Sequence, residues 1–169
     1  MRIAHIENRP IEVDLRQKEG HWEADTAVSK QSKAAIVVAV ERVTRLTKIR
    51  LVPSKSAQHM QDALVDSLAQ FDDNLRVSIT YDNGTENAYH QQTNSALGTI
   101  SYFCNPYHSW EKGSVENHIG LIRRTYPKKT DWALLSQSDF DIIELQLNNR
   151  PRKCLNFKSP YEAFVALAA

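Results

Sequence analysis

Three carboxylates stand where acids can act in concert. Asp25 lies within Gly20-His21-Trp22-Glu23-Ala24-Asp25-Thr26, Asp82 opens Asp82-Asn83-Gly84-Thr85-Glu86, and Glu116 follows Gly113-Ser114-Val115. Singly, each has an ordinary explanation. An acid in a strand faces solvent, Asp-Asn-Gly makes a hairpin turn, and an acid in a helix's first turn complements the macrodipole. Here, however, Asp-Asn-Gly precedes a polar helical run instead of a second alternating strand, so the hairpin reading loses its support. Carboxylates gathered at strand ends and a helix start repel unless a cation neutralises them. An oxygen-only ligand set suits Mg²⁺ or Mn²⁺. Two such ions about 3.5–4 Å apart clamp the attacking and leaving oxygens of a phosphoryl displacement.

The cations nearby fit a phosphodiester substrate. Residues 105–130 carry Lys112, Arg123, Arg124, Lys128 and Lys129 against Glu111 and Glu116, a local excess of three positive charges within a chain of net charge +1. On a helix, Glu116, Gly120 and Arg123 share one face, because seven residues make about two turns. An acid at one end and a cation two turns away suit metal at one point and a DNA phosphate at the other. Gly120 in mid-helix costs roughly 1 kcal/mol relative to Ala, which the close approach of another backbone, protein or DNA, would explain. Trp110 and His108 precede this helix and serve either as DNA contacts or as packing anchors. The expected DNA-contacting set is Trp110, Lys112, Asn117, Arg123, Arg124 and Lys128.

The elements that must position these groups are legible from periodicity. Residues 21–28, 34–43 and 46–52 read as three antiparallel strands. Met60, Ala63, Leu64, Ser67, Leu68 and Phe71 mark one face of a helix with Ser54 or Ser56 as N-cap. Residues 76–81 alternate as a fourth strand ending at Asp82, a polar helix covers about 86–96, and residues 100–104 form a fifth strand. Ser114 is expected to cap a helix running to about Tyr126 whose buried stripe is Val115, Ile119, Ile122 and Tyr126. Helices over 138–149 and 159–167 close the chain. The order implies an α/β domain over residues 20–169 with a mixed five-stranded sheet, three antiparallel strands followed by parallel ones, flanked by helices. Residues 1–19, polar and without periodicity, read as an N-terminal arm or linker.

At 169 residues, 41% hydrophobic and 24% charged, the composition is that of an ordinary globular domain. No stretch reaches membrane-span length and no signal-peptide pattern opens the chain. Two cysteines, Cys104 and Cys154, are too few for a disulfide framework. With His108 and His118 they lack the paired spacing of a structural zinc site.

The motifs resemble a known family. Trp22-Glu23-Ala24-Asp25, Tyr81 to Glu86, and Tyr107-His108-Ser109-Trp110-Glu111-Lys112-Gly113-Ser114-Val115-Glu116-Asn117 resemble the three signature blocks of bacterial insertion-sequence transposases with a retroviral-integrase-like core. Leu147 to Leu155 and Ser159 to Phe164 resemble that family's tail. Asp82 and Glu116 have 33 residues between them, near the family's spacing, and Arg123 falls where a Lys or Arg follows the last acid by seven. The resemblance implies an RNase H-like fold and a DDE-type polynucleotidyl transferase, with Asp25, Asp82 and Glu116 as catalytic metal ligands for a two-ion Mg²⁺ or Mn²⁺ site. It implies cleavage at the element's 3′ end and attack of the freed 3′-hydroxyl on target DNA. The partners would be transposon ends, target DNA and further copies of the chain, in a cytoplasmic bacterial protein that is nucleoid-associated when acting. Ala24 departs from the Gly often found before the first acid, and Asn87 from the aromatic often found after the acidic block. The N-terminal helix-turn-helix expected of full-length relatives is not in this sequence. The alternatives are an inactive, truncated remnant that binds DNA or a partner, and an RNase H-like nuclease.

Overall fold

The computed structural model describes residues 4–169. Its elements are β1 (Ala4–His5), α1 (Ile11–Asp14), β2 (His21–Val28), β3 (Ala35–Glu41), β4 (Thr47–Val52), α2 (Ala57–Leu68), β5 (Ser78–Tyr81), α3 (His90–Leu97), β6 (Ile100–Phe103), α4 (Gly113–Thr125), α5 (Gln137–Asn149) and α6 (Pro160–Ala168). They build one sheet in the order β1-β6-β5-β2-β3-β4. The β2–β3 and β3–β4 pairs are antiparallel, whereas β5 joins β2, β6 joins β5 and β1 joins β6 in parallel.

The sheet is mixed as the sequence predicts, but it has six strands instead of five. The sixth comes from the stretch read as an arm, where Ala4 sits opposite Tyr102 and His5 opposite Phe103. Two residues are too few for alternation to register. Beyond that strand, Ile6 and Val13 are buried, and Arg9 reaches Thr80 Oγ1 at 3.0 Å. Residues 1–3 of the same stretch lie outside the described residues.

Both faces of the sheet are covered, which explains the unbroken apolar run of β3. Its Val37 and Ala39 join Trp22, Leu64, Leu68, Tyr81 and Phe164 on one side. Ile36, Val38 and Val40 join Val115, Ile122, Trp132 and Phe140 beneath α4 and α5 on the other. Ser56 caps α2, its hydroxyl accepting the His59 amide at 3.2 Å. Ser114 does not cap α4. A 3₁₀ turn over Ser109–Lys112 runs directly into the helix, Lys112 occupies the cap position without a side-chain bond, and Ser114 is buried inside the first turn. With no extended residue at the junction, there is no place for a capping hydroxyl.

His21 gives the fold a pH dependence. It is buried, with Nδ1 2.6 Å from Ser78 Oγ. Burial, then Arg9, Arg42 and Lys18, push its pKa down to about 4, with Glu19 opposing. A base depressed in the folded state contributes stability above its unfolded pKa of about 6.5 and loses it as pH falls toward 4. Wild type is therefore expected to be more stable than His21→Asn at pH 7.5, with that advantage shrinking by about 1 kcal/mol or more at pH 5. Urea denaturation of both proteins at the two pH values checks this; a pH-independent difference would contradict it.

Candidate active site

The register of β2 and β5 brings the two aspartates together. His21 pairs with Ser78 and Glu23 with Thr80, so two residues further on Asp25 comes level with Asp82, just beyond the end of β5. Local bonds then orient each carboxylate. Asp25 Oδ1 accepts the Thr26 amide at 2.8 Å. Asp82 Oδ1 accepts the Gly84 amide at 2.9 Å and Asn87 Nδ2 at 2.8 Å. Asn87, a departure at the sequence level, thus holds Asp82 in place. The Oδ2 atoms of both acids face one cation, Lys112, whose Nζ is 3.0 Å from Asp25 and 3.4 Å from Asp82.

A third carboxylate completes the group, and it is Glu86. Asp25, Asp82 and Glu86 each offer an oxygen, and these oxygens lie within 4.8 Å of one another. Glu86 is buried, accepts the Thr26 hydroxyl at 3.2 Å and pairs with Lys55 at 2.8 Å. Glu116 lies outside this group, exposed in the first turn of α4. Lys112, one turn earlier, points toward the aspartates in its place.

The electrostatics follow from this packing. Burial pushes the Asp25 carboxyl up, aided by Asp82, with Lys112 opposing. At Asp82 burial also works against ionisation, but Lys112 and the Gly84 amide outweigh it and hold the carboxyl below the usual range. Burial would lower the Lys112 ammonium, but Asp25 and Asp82 overcome that and raise it. Three carboxylates offering only oxygen, facing the buried Lys112 and the exposed Lys55, keep an excess of one negative charge and form a donor set suited to a hard divalent cation.

Glu23, quoted in the first motif without a role, ties this site to α4. It is fully buried in the strand of Asp25 and paired with Arg42. Its Oε2 accepts the Val115 amide at 3.0 Å. The signal for both missed acids was spacing. Glu23 is two residues from Asp25 and so shares its strand face, and Glu86 sits at the end of the block that Asp82 opens.

The expected DNA contacts separate into two groups. Trp110 is 65% exposed and stacks on His108 with ring centroids 4.4 Å apart. Asn117, Arg124 and Lys128 are also exposed. Arg123 is partly anchored, its guanidinium 5.2 Å from the Trp132 ring and 3.4 Å from the Val28 carbonyl. Lys112, in contrast, is turned inward with a side chain 1% exposed, so in this structure it faces the aspartates and not solvent. A Cβ on Gly120 would meet nothing within 4 Å, so no protein backbone approaches it. A cavity beside Asp82, lined by Asn83, Gly84, Cys104, Pro106, Tyr107 and His108, opens next to the acids.

No protein-family model matches the chain. Its homologues are transposases. It is 40% identical over 157 residues to the transposase InsI for insertion sequence element IS30C of Escherichia coli (strain K12), an alignment covering 93% of this chain and 41% of that protein. It is 37% identical over 167 residues to the transposase for insertion sequence element IS1086 of Cupriavidus metallidurans, covering 99% of this chain and 49% of that protein. The chain therefore spans less than half the length of these relatives. Among solved structures, the catalytic core domain of BIV integrase superposes with a TM-score of 0.67 at 19% identity, covering 89% of this chain and 96% of that one. The fold is that of an integrase catalytic core, an RNase H-like fold.

Proposed function

We propose that this chain is the catalytic core of a DDE-type insertion-sequence transposase, a polynucleotidyl transferase acting on element ends and target DNA. The observation that carries the reading is the convergence of the Asp25 and Asp82 Oδ2 atoms on one buried cation, Asp25 from within β2 and Asp82 from just beyond the neighbouring β5. Similarity to transposases along nearly the whole chain supports it. Asp25 and Asp82 would hold Mg²⁺ or Mn²⁺, with Glu116 the third ligand by resemblance. When bound, the ions supply Lewis acidity toward the scissile phosphate.

The chain's own residues orient the acids and the substrate. Thr26, Gly84 and Asn87 fix the Oδ1 atoms and leave each Oδ2 to a cation. Arg123, Arg124, Lys128, Asn117 and Trp110 flank the DNA, the cations on phosphates and the indole against sugar or base. In the first step water attacks the phosphorus at the element's end, breaking the P–O3′ bond and leaving a 3′-hydroxyl. In the second that hydroxyl attacks a target phosphorus, a new ester forms and the target's own 3′-oxygen departs. Joining two ends calls for more than one copy of the chain. No described helix is long and apolar enough to cross a membrane, and the proposed setting is the bacterial nucleoid.

One observation favours a second reading. Glu86 places a further buried carboxylate beside the aspartates, a feature expected of an RNase H-like nuclease. Incubation with labelled element-end duplex or with an RNA–DNA hybrid, each with Mn²⁺, separates the two. The proposal expects nicking and joining of DNA that disappear in Asp25→Asn. Cleavage confined to the hybrid would favour the nuclease, and no metal-dependent chemistry on either would favour the inactive remnant.

A further inference from the structure

We propose that Lys112 is a built-in counter-ion that occupies the cation position between Asp25 and Asp82, so that a divalent ion binds only when Lys112 withdraws. The inference rests on the assignment of those aspartates as metal ligands. It deepens that assignment by naming the residue that controls metal loading.

The geometry makes the two occupants exclusive. The Lys112 ammonium lies 3.0 Å from Asp25 Oδ2 and 3.4 Å from Asp82 Oδ2, and it also donates to the Ala24 carbonyl at 3.4 Å. Mg²⁺ binds carboxylate oxygens at about 2.0–2.1 Å. An ion on these two oxygens would lie within a few ångströms of the ammonium, in a part of the protein where solvent screens poorly. One cation must leave, and only the lysine is on a tether.

The tether ends at a helix junction without a side-chain cap, and Glu111 beside it is held, among the described residues, only within its own loop, by Asn105 and His108. Lys112 is the last residue of a 3₁₀ turn and the cap position of α4, with no side-chain cap bond to hold it. The fixed point lies beyond it, where Glu23 accepts the Val115 amide. Withdrawal therefore needs rotation of the segment before Val115, which also carries the exposed Trp110. Glu116, one turn further, would then face aspartates no longer screened by an ammonium. A DNA phosphate is the natural alternative partner for the released ammonium, which reconciles an inward-facing lysine with its place among the DNA-contacting cations of the motif. Metal and DNA would accordingly bind with mutual reinforcement.

The test measures binding and exposure, without activity. If Lys112 occupies the site more than nine-tenths of the time, its removal raises apparent affinity by about tenfold or more. Calorimetric titration of the DNA-free chain with Mn²⁺ should thus show Lys112→Met binding at least about tenfold more tightly than wild type, and Lys112→Arg remaining weak. Equal or weaker binding by Lys112→Met would overturn the inference. Should that variant fail to fold, the wild-type chain answers alone. Reductive methylation read by mass spectrometry should find Lys112 protected without divalent ion and modified at saturating Mn²⁺. Protection unchanged by Mn²⁺ would overturn the inference equally. Asp82→Asn, titrated alongside, keeps the two levels apart. Mn²⁺ binding indifferent to Asp82 means the ligand assignment has failed, and the inference falls with it. Binding that needs Asp82 while Lys112 stays protected means that the inference alone has failed.

Discussion

Replacing Asp82 with Asn is expected to lower DNA cleavage and joining by about 10³-fold or more while the chain remains folded. Asparagine keeps an oxygen for the Gly84 amide and the Asn87 side chain that Asp82 now accepts. It cannot supply the anionic Oδ2 now facing Lys112. Asp82 is 37% exposed and the buried Lys112 keeps Asp25 as its ion-pair partner at 3.0 Å, so stability should change by no more than about 1 kcal/mol. Oligonucleotide strand transfer and thermal melts on the same preparation separate the two effects. Retained joining would remove Asp82 from the chemistry, and a large loss of stability would make it a structural residue.

Arg42→Ala should do the reverse, damaging the fold and reaching the chemistry only indirectly. Glu23 is fully buried and Arg42 is its ion-pair partner. Removing the guanidinium strands a carboxylate in the interior, a loss of about 3–5 kcal/mol. The Arg42 Nε bond to the Val13 carbonyl, 3.3 Å, goes with it and loosens α1 from the sheet. Because Glu23 also anchors the Val115 amide, α4 and Glu116 lose their fixed point. Urea unfolding measures the change, and a loss below about 1 kcal/mol would show that the pair does not hold the structure.

Much of the fold could be read because its signals are local. The alternation of Val77, Ile79 and Tyr81, the apolar run Ala35 to Val40 and the stripe Val115, Ile119, Ile122, Tyr126 each depend on neighbours within a few residues. The first edge strand could not be read, since Ala4 and His5 are a strand only by virtue of Tyr102 and Phe103 almost a hundred residues away. Asp25 and Asp82 were legible as a pair because each stands in a compact motif, Asp25 within a strand and Asp82 just after one. The inward turn of Lys112 was not, because a lysine in a basic stretch reads as a surface cation until two aspartates are placed against it. Glu86 was hidden for the same reason. Its partners are Thr26 and Lys55, neither near it in sequence.

Mn²⁺ binding followed by electron paramagnetic resonance tests most directly whether Asp25 and Asp82 hold a divalent metal. Wild type, Asp25→Asn and Asp82→Asn should be compared at millimolar Mn²⁺, each first shown to be folded. The predicted result is a bound-Mn²⁺ population in wild type that is lost in both variants. Equal Mn²⁺ binding by all three proteins would contradict it.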